Sequence, residues 1–210
     1  MMIHNWIRET HKIIGVGPNF KAFREQRGIA HNEFPQLFLK SPESLSVETN
    51  IYLSKQLTEF FCEVEMAVII GEDAQNVVEE EALSIVAGYA LANDITAGAP
   101  FDKGRSKLFN QTTPISELVK KVDPQNVYLE MWVNGECIQK DHTSQLLFSP
   151  QRLISYISHM ATLRKGDIIL TGTPANPWKG AIGDEIELKS PELGSMKHKI
   201  HSDTGTRRLL

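Results

Sequence analysis

The stretch that most constrains this fold is NVYLEMWVNGECIQKD, residues 126–141. Two extended runs flank Asn134-Gly135, a dipeptide suited to the positive-φ positions of a two-residue hairpin turn. An isolated hairpin is marginal in water, so further strands must cover it. The sequence offers several. KIIGVG (12–17) reads as a strand entering a turn, and QLFLK (36–40) as a strand stopped by Pro42. YALANDIT (89–96), KGDIILTGTP (165–174), GDEIELKS (183–190) and GSMKHKIH (194–201) read as further strands. Helices are few. FKAFREQRG (20–28) makes a short one stopped by Gly28, and VVEEEALSIVAG (77–88) has helical spacing with its acids placed early, where the helix dipole favours them. The best helix is SPQRLISYISHMATL (149–163). Ser149 can cap it, Pro150 fits the first turn, and Leu153, Ile154, Ile157 and Met160 share one face. The class is therefore β-rich α+β.

Composition narrows the function. The 210 residues suffice for one large domain, with 1–11 as an N-terminal extension and 202–210 as a frayed tail. A net charge of −4 gives no electrostatic case for nucleic acid or an anionic membrane, and no apolar run is long enough to span a bilayer. The start, MMIHNWIRETHK, lacks the apolar centre of a signal peptide, so a cytoplasmic home is expected. Cys62 and Cys137 are too few for a disulfide framework or a zinc site. GVGPNF has Phe20 where a dinucleotide-binding loop has its third glycine, KGRSK lacks P-loop spacing, and DTG at 203–205 has no second copy. His198 and His201 read as a solvated pair.

One feature resists a purely structural reading. EVEMAVII (63–70) places Glu63 and Glu65 on what is otherwise a buried strand, and residues i and i+2 of a strand share a face, here the face of Ala67 and Ile69. Two adjacent carboxylates repel and resist desolvation. Either the strand end is in water, or the pair shares a divalent cation, for which hard oxygen ligands suit Mg²⁺ or Mn²⁺. Asp94, at the end of the next apolar strand, is the leading third ligand.

Taken together, FCEVEMAVIIG, EEEALSIVAGYALANDIT, KLFNQTTPI, VNGECIQ, LLFSPQRLISYIS and LRKGDIILTGTP resemble the fumarylacetoacetate hydrolase family in its single-domain form, from about Ile13 to Leu188. The resemblance implies a mixed β-sandwich roll of the family's C-terminal-domain type with a few peripheral helices. It also implies a homodimer, a small-molecule substrate, and Mg²⁺ or Mn²⁺ bound by Glu63, Glu65 and Asp94. Lys107 matches the family's catalytic lysine, although Asn110 replaces an aspartate after it. Thr173, with Gly172 in TGTP and Gln139 in NGECIQ, falls where the family binds substrate.

Three departures accompany the likeness. The family's lid His and Glu, which activate water, are here Phe23 and Gln26, neither of them a base. An arginine and a glutamine are replaced by Gly98 and Phe101, and the segment from Phe101 to Lys107 is short. Arg105 or Arg24 stands as a replacement cation. The favoured reading is a metal-dependent isomerase or tautomerase of small 2-oxo acids, β-diketo or dicarboxylic, through a metal-stabilised enolate. A C–C hydrolase or decarboxylase, and a non-catalytic metal-binding member, remain as alternatives.

Overall fold

The computed structural model describes residues 5–30, 33–203 and 205. The expected extension 1–11 and tail 202–210 lie partly outside them, but Ser202 still pairs with Leu53 as strand and Thr10 hydroxyl donates to the Gly166 carbonyl. Ten strands build two five-stranded sheets. In chain order they are β1 (Ile13–Val16), β2 (Leu37–Lys40), β3 (Asn50–Leu53), β4 (Val64–Ile70), β5 (Val86–Asn93), β6 (Tyr128–Val133), β7 (Glu136–His142), β8 (Ile168–Leu170), β9 (Glu185–Ser190) and β10 (Gly194–Ser202). The first sheet runs β2-β1-β8-β4-β5 and the second β7-β6-β9-β10-β3. Each is antiparallel except for one parallel pair, β1 with β8 and β10 with β3. The expected hairpin is β6-β7, with Asn134 and Gly135 both at positive φ.

The two sheets face one another across the main core. Val64, Met66, Val68 and Ile70 of β4 meet Leu129 and Met131 of β6 and Ile186 and Leu188 of β9 there. The opposite side of the first sheet is also covered. Ala67 and Ile69 of β4, Ala90 and Ala92 of β5, and Ile168 and Leu170 of β8 form a second core with Ile115. The 115–119 segment closes the free edge of β5, exchanging backbone bonds between Tyr89 and Val119 at 2.7 and 2.8 Å. The inner strands β1, β8 and β4 of the first sheet are thus dry on both faces, which is why they read as apolar runs. The edge strand β2 leaves Leu39 exposed.

Helix α1 (Lys21–Gln26) is the short helix expected before Gly28. Helix α2 (Pro150–Met160) starts as its sequence predicts, with Ser149 Oγ accepting from Arg152 N–H at 3.2 Å. Leu153, Ile154 and Ile157 are buried, but Met160 is 65% exposed. It is the last helical residue, and the inward place in that turn goes to Ser158, whose Oγ accepts from Val77 N–H at 2.9 Å. The 77–88 stretch is not an α-helix. Glu79–Ile85 forms a 3₁₀ turn, because pairing of Val86 with Ile70 draws the chain into β5 from that point.

Candidate active site

Register explains how the acids meet. Val64 of β4 pairs with Asn93 of β5, so the next pair outward sets Glu63 beside Asp94, and Asp94 N–H donates to the Glu63 carbonyl at 2.9 Å. Asn93 Oδ1 accepts from Glu63 N–H at 3.0 Å, while its Nδ2 donates to His198 Nε2 at 3.0 Å. Glu65 lies two residues along β4 on the same face, buried with Asp94. One carboxylate oxygen from each of Glu63, Glu65 and Asp94 lies within 4.8 Å of the others. The water-exposed alternative for the pair is therefore excluded: Glu65 is 2% exposed.

Burial and charge set the protonation of this cluster. Burial pushes Glu65 well above the usual carboxylate range, and Asp94 and Glu63 add to it. Burial also raises Glu63, against the opposing pull of Lys107. Asp94 goes the other way. Burial works to raise it, but the combined charges and hydrogen bonds of Lys107 and Lys40 hold it low. Its Oδ2 accepts from Lys107 Nζ and its Oδ1 from Lys40 Nζ, each at 2.5 Å. Three carboxylates thus share two ammonium groups in a dry pocket, an excess of negative charge that an additional cation relieves. The all-oxygen donor set is that of Mg²⁺ or Mn²⁺.

The cluster opens into a cavity of about 400 Å³. Glu63, Glu65, Asp94, Lys107 and Thr173 all line it, so five of the seven residues singled out in the sequence meet there. Gln139 and Gly172 stand behind. Gln139 Nε2 donates to Thr173 Oγ1 at 3.0 Å and its Oε1 accepts from Val64 N–H at 3.0 Å. Gly172 N–H donates to Glu65 Oε2 at 2.7 Å. With φ of +100° and a would-be Cβ 2.7 Å from Asn19, Gly172 is a position that only glycine fills without strain.

The lysines differ. Lys107 sits in the 3₁₀ turn Arg105–Lys107, with Nζ 2.5 Å from Thr96 Oγ1 and 4.2 Å from the centre of the Phe38 ring. Burial disfavours its charge, yet Asp94 and Glu63 outweigh burial and raise it above the ordinary amine value. Lys40 escaped the sequence reading. Burial lowers it despite Asp94, and its Nζ also donates to the carbonyls of Thr112 at 2.8 Å and Ile95 at 3.3 Å. Its signal was a charge at the end of the apolar QLFLK run.

The departures also have places. Phe23 is 8% exposed and lines the cavity, whereas Gln26 turns outward and exchanges side-chain and backbone bonds with Asn176 at 2.7 and 3.2 Å. A Cβ at Gly98 would lie 2.4 Å from Glu59 Oε2, so Glu59 fills the space a side chain needs there. Phe101 packs edge-on against Phe109. Neither named arginine serves the cavity. Arg105 pairs with Asp102 at 2.9 Å, and Arg24 donates to the carbonyls of Pro18 and Ala30. His198 is not solvated. It is 1% exposed because it shares the inward face of β10 with Ile200. His201 is half-buried, stacked on Tyr52.

Known proteins share this arrangement of strands. The family described as fumarylacetoacetate (FAA) hydrolase C-terminal matches residues 12–201. The mitochondrial oxaloacetate tautomerase FAHD2 of Arabidopsis thaliana is 38% identical over 214 residues, covering 95% of this chain and 94% of that one. The crystal structure of 5-carboxymethyl-2-hydroxymuconate delta-isomerase from Mycobacterium smegmatis superposes with a TM-score of 0.85 at 29% identity, covering 93% of this chain and 80% of that one. Maleylpyruvate hydrolase from Sphingobium sp. SYK-6, solved in complex with manganese (II) ion and pyruvate, gives 0.82 at 27% identity, covering 93% and 72%.

Proposed function

The chain belongs to the fumarylacetoacetate hydrolase family, and on that footing we propose that it is a divalent-cation-dependent isomerase or tautomerase of small 2-oxo acids. The observation that carries the reading is the buried Glu63, Glu65 and Asp94 cluster opening, beside Lys107, into a cavity whose other wall at residue 23 is a phenylalanine. Relatives named for oxaloacetate tautomerisation and hydroxymuconate isomerisation support it. Glu63, Glu65 and Asp94 are read as ligands of Mg²⁺ or Mn²⁺, and the manganese in the maleylpyruvate hydrolase structure supports that choice of metals. A cation held there supplies Lewis acidity to a 2-oxo acid, easing the loss of a proton from C3.

The chain's own residues orient the substrate and manage charge. Lys107, hydrogen-bonded to Asp94 and Thr96, is placed to take up the C3 proton when neutral and, as an ammonium, to offer Nζ–H to the oxygen that gains negative charge. Thr173 offers a hydroxyl held in place by Gln139, and Gly172 fixes the Glu65 carboxylate. Phe23 and Ile29 give the cavity an apolar wall. Because Phe23 and Gln26 cannot deprotonate water, proton transfer at carbon is favoured over C–C hydrolysis. We read the assembly as a homodimer of one-domain chains.

The test is incubation with Mg²⁺ and a 2-oxo acid in D₂O. Deuterium should enter C3 faster than any cleavage product appears, and Lys107→Met should lose exchange while keeping metal affinity. Rapid acylpyruvate cleavage without excess exchange would support the hydrolase alternative. Neither exchange nor cleavage on any 2-oxo acid would sink both catalytic readings.

A further inference from the structure

The cavity holds more than the carboxylate cluster and its lysine. Val16, Pro18, Phe23, Ile29, Leu37 and Phe38 give it a largely apolar wall, and Lys103 lines it as well. Lys103 and Lys107 are the cations among its lining residues, while Arg27, outside the lining, lies over the Phe23 ring. Lys40 is committed to Asp94 and two carbonyls, and Lys107 to Asp94 and Thr96. Arg24, which does not line the cavity, donates to the carbonyls of Pro18 and Ala30, and Arg105 is held by Asp102. The turn at Gly98 contributes none, since Glu59 occupies its space and is paired with Lys179 at 2.6 Å. Lys103 has no carboxylate within 4.0 Å among the described residues.

The backbone around Lys103 is nonetheless well fixed. Ser106 N–H donates to the Asp102 carbonyl at 2.9 Å, Arg105 N–H to Asp102 Oδ1 at 2.9 Å, and Ser106 hydroxyl to the Lys103 carbonyl at 3.1 Å. The same short turn carries Lys103 exposed and Lys107 buried, four residues apart. A small acid bound at the carboxylate cluster therefore finds one positive charge without a carboxylate partner on the cavity lining.

We infer that Lys103 is the specificity-determining residue of this cavity and reads a second, distal carboxylate, so that the chain selects dicarboxylic over monocarboxylic 2-oxo acids. This rests on the 2-oxo acid reading above. An unpaired ammonium beside apolar side chains gains a charge-assisted bond from a dicarboxylate and nothing from a methyl group in its place. An ammonium also reaches a carboxylate of variable position, because its four-carbon stem is flexible.

Oxaloacetate and 2-oxobutyrate make a matched pair, with four carbons each and a terminal carboxylate replaced by a methyl. Deuterium exchange at C3 and calorimetric affinity for the Mn²⁺-loaded protein are measured for both acids, on wild type, Lys103→Gln and Lys103→Arg. The expected result is a loss of about tenfold or more in affinity and in kcat/KM for oxaloacetate in Lys103→Gln. The values for 2-oxobutyrate stay unchanged, and Lys103→Arg largely restores the preference. Equal effects on both acids, or none, overturn the role of Lys103 while leaving the 2-oxo acid reading intact. Exchange into neither acid by the wild type overturns both.

Discussion

The two sheets of this protein obey different rules. In the second sheet burial alternates along β6 and β9, with Leu129, Met131, Ile186 and Leu188 inward and Glu130, Glu185, Glu187 and Lys189 turned toward water. In the first sheet all seven residues of β4 are buried, as are all of β1 and β8. A carboxylate costs little on the outward face of the second sheet. On the first it meets low dielectric whichever way it points. The candidate site lies at the end of β4, a strand dry on both faces, where like charges are hardest to tolerate and a cation is held most strongly. The acids are thus placed against stability, and their value lies in what they bind.

The sharpest way to break this comparison is to remove one charge from each sheet. Glu65→Gln should cut C3 exchange by about a thousandfold, the several kcal/mol that Lewis-acid stabilisation provides. Glu187→Gln should leave the rate unchanged, since Glu187 only meets Lys189 at a partly exposed surface. In metal-free protein the stability order should not follow the activity order. Glu65→Gln removes a carboxylate that burial and two like charges disfavour, so its thermal midpoint should match or exceed the wild type's. A large fall in that midpoint would mean Glu65 is structural.

Packing gives the next effect in size. Ile69 faces away from the second sheet yet lies in the second core, so Ile69→Ala should destabilise by about 2–5 kcal/mol. Glu187→Ala, equally outward on the other sheet, should change stability by less than about 0.5 kcal/mol. Urea melts of both variants compare the two outward faces directly, and near-equal small losses would show that the first sheet has a wet side.

His198 sharpens the comparison from the second sheet's side, because it is an ionisable side chain on the inward face there. Burial holds its pKa down to about 4, against 6.5 in the unfolded chain. Between those values the unfolded state binds a proton that the folded state refuses. Stability from this group is therefore complete above pH 6.5 and falls as pH drops toward 4, by up to about 3 kcal/mol. His198→Gln, which keeps an acceptor for Asn93 Nδ2, should lack this part of the acid slope. Identical slopes in the two proteins would place the imidazole in contact with water.

Legibility in the sequence followed the same division. Four strands of the second sheet, β6, β7, β9 and β10, were readable because alternation and Asn134-Gly135 are local signals. In contrast, β3 was missed, since it joins the sheet only through its parallel pairing with the distant β10. In the first sheet Glu63 and Glu65 were visible as charges inside an apolar run, and Asp94 as the acid ending the next one. Their convergence depends on the Val64 to Asn93 register, which joins strands separated by the Glu79–Ile85 turn. Lys40 was hidden because nothing local ties the end of β2 to Asp94, 54 residues later. His198 was misread for the same reason: its neighbours in sequence are lysines, and its neighbours in space are Asn93 and the main core. Met160 shows a limit of periodicity, since the last residue of a helix keeps the angle of the buried face without its cover.

Titration calorimetry of the metal-free protein with Mn²⁺, on wild type and Glu65→Gln, tests the central claim most directly. One saturable site per chain is expected in the wild type, lost in Glu65→Gln. Binding that persists unchanged in the variant, or no saturable binding in the wild type, would contradict the assignment of the buried carboxylates as a cation site.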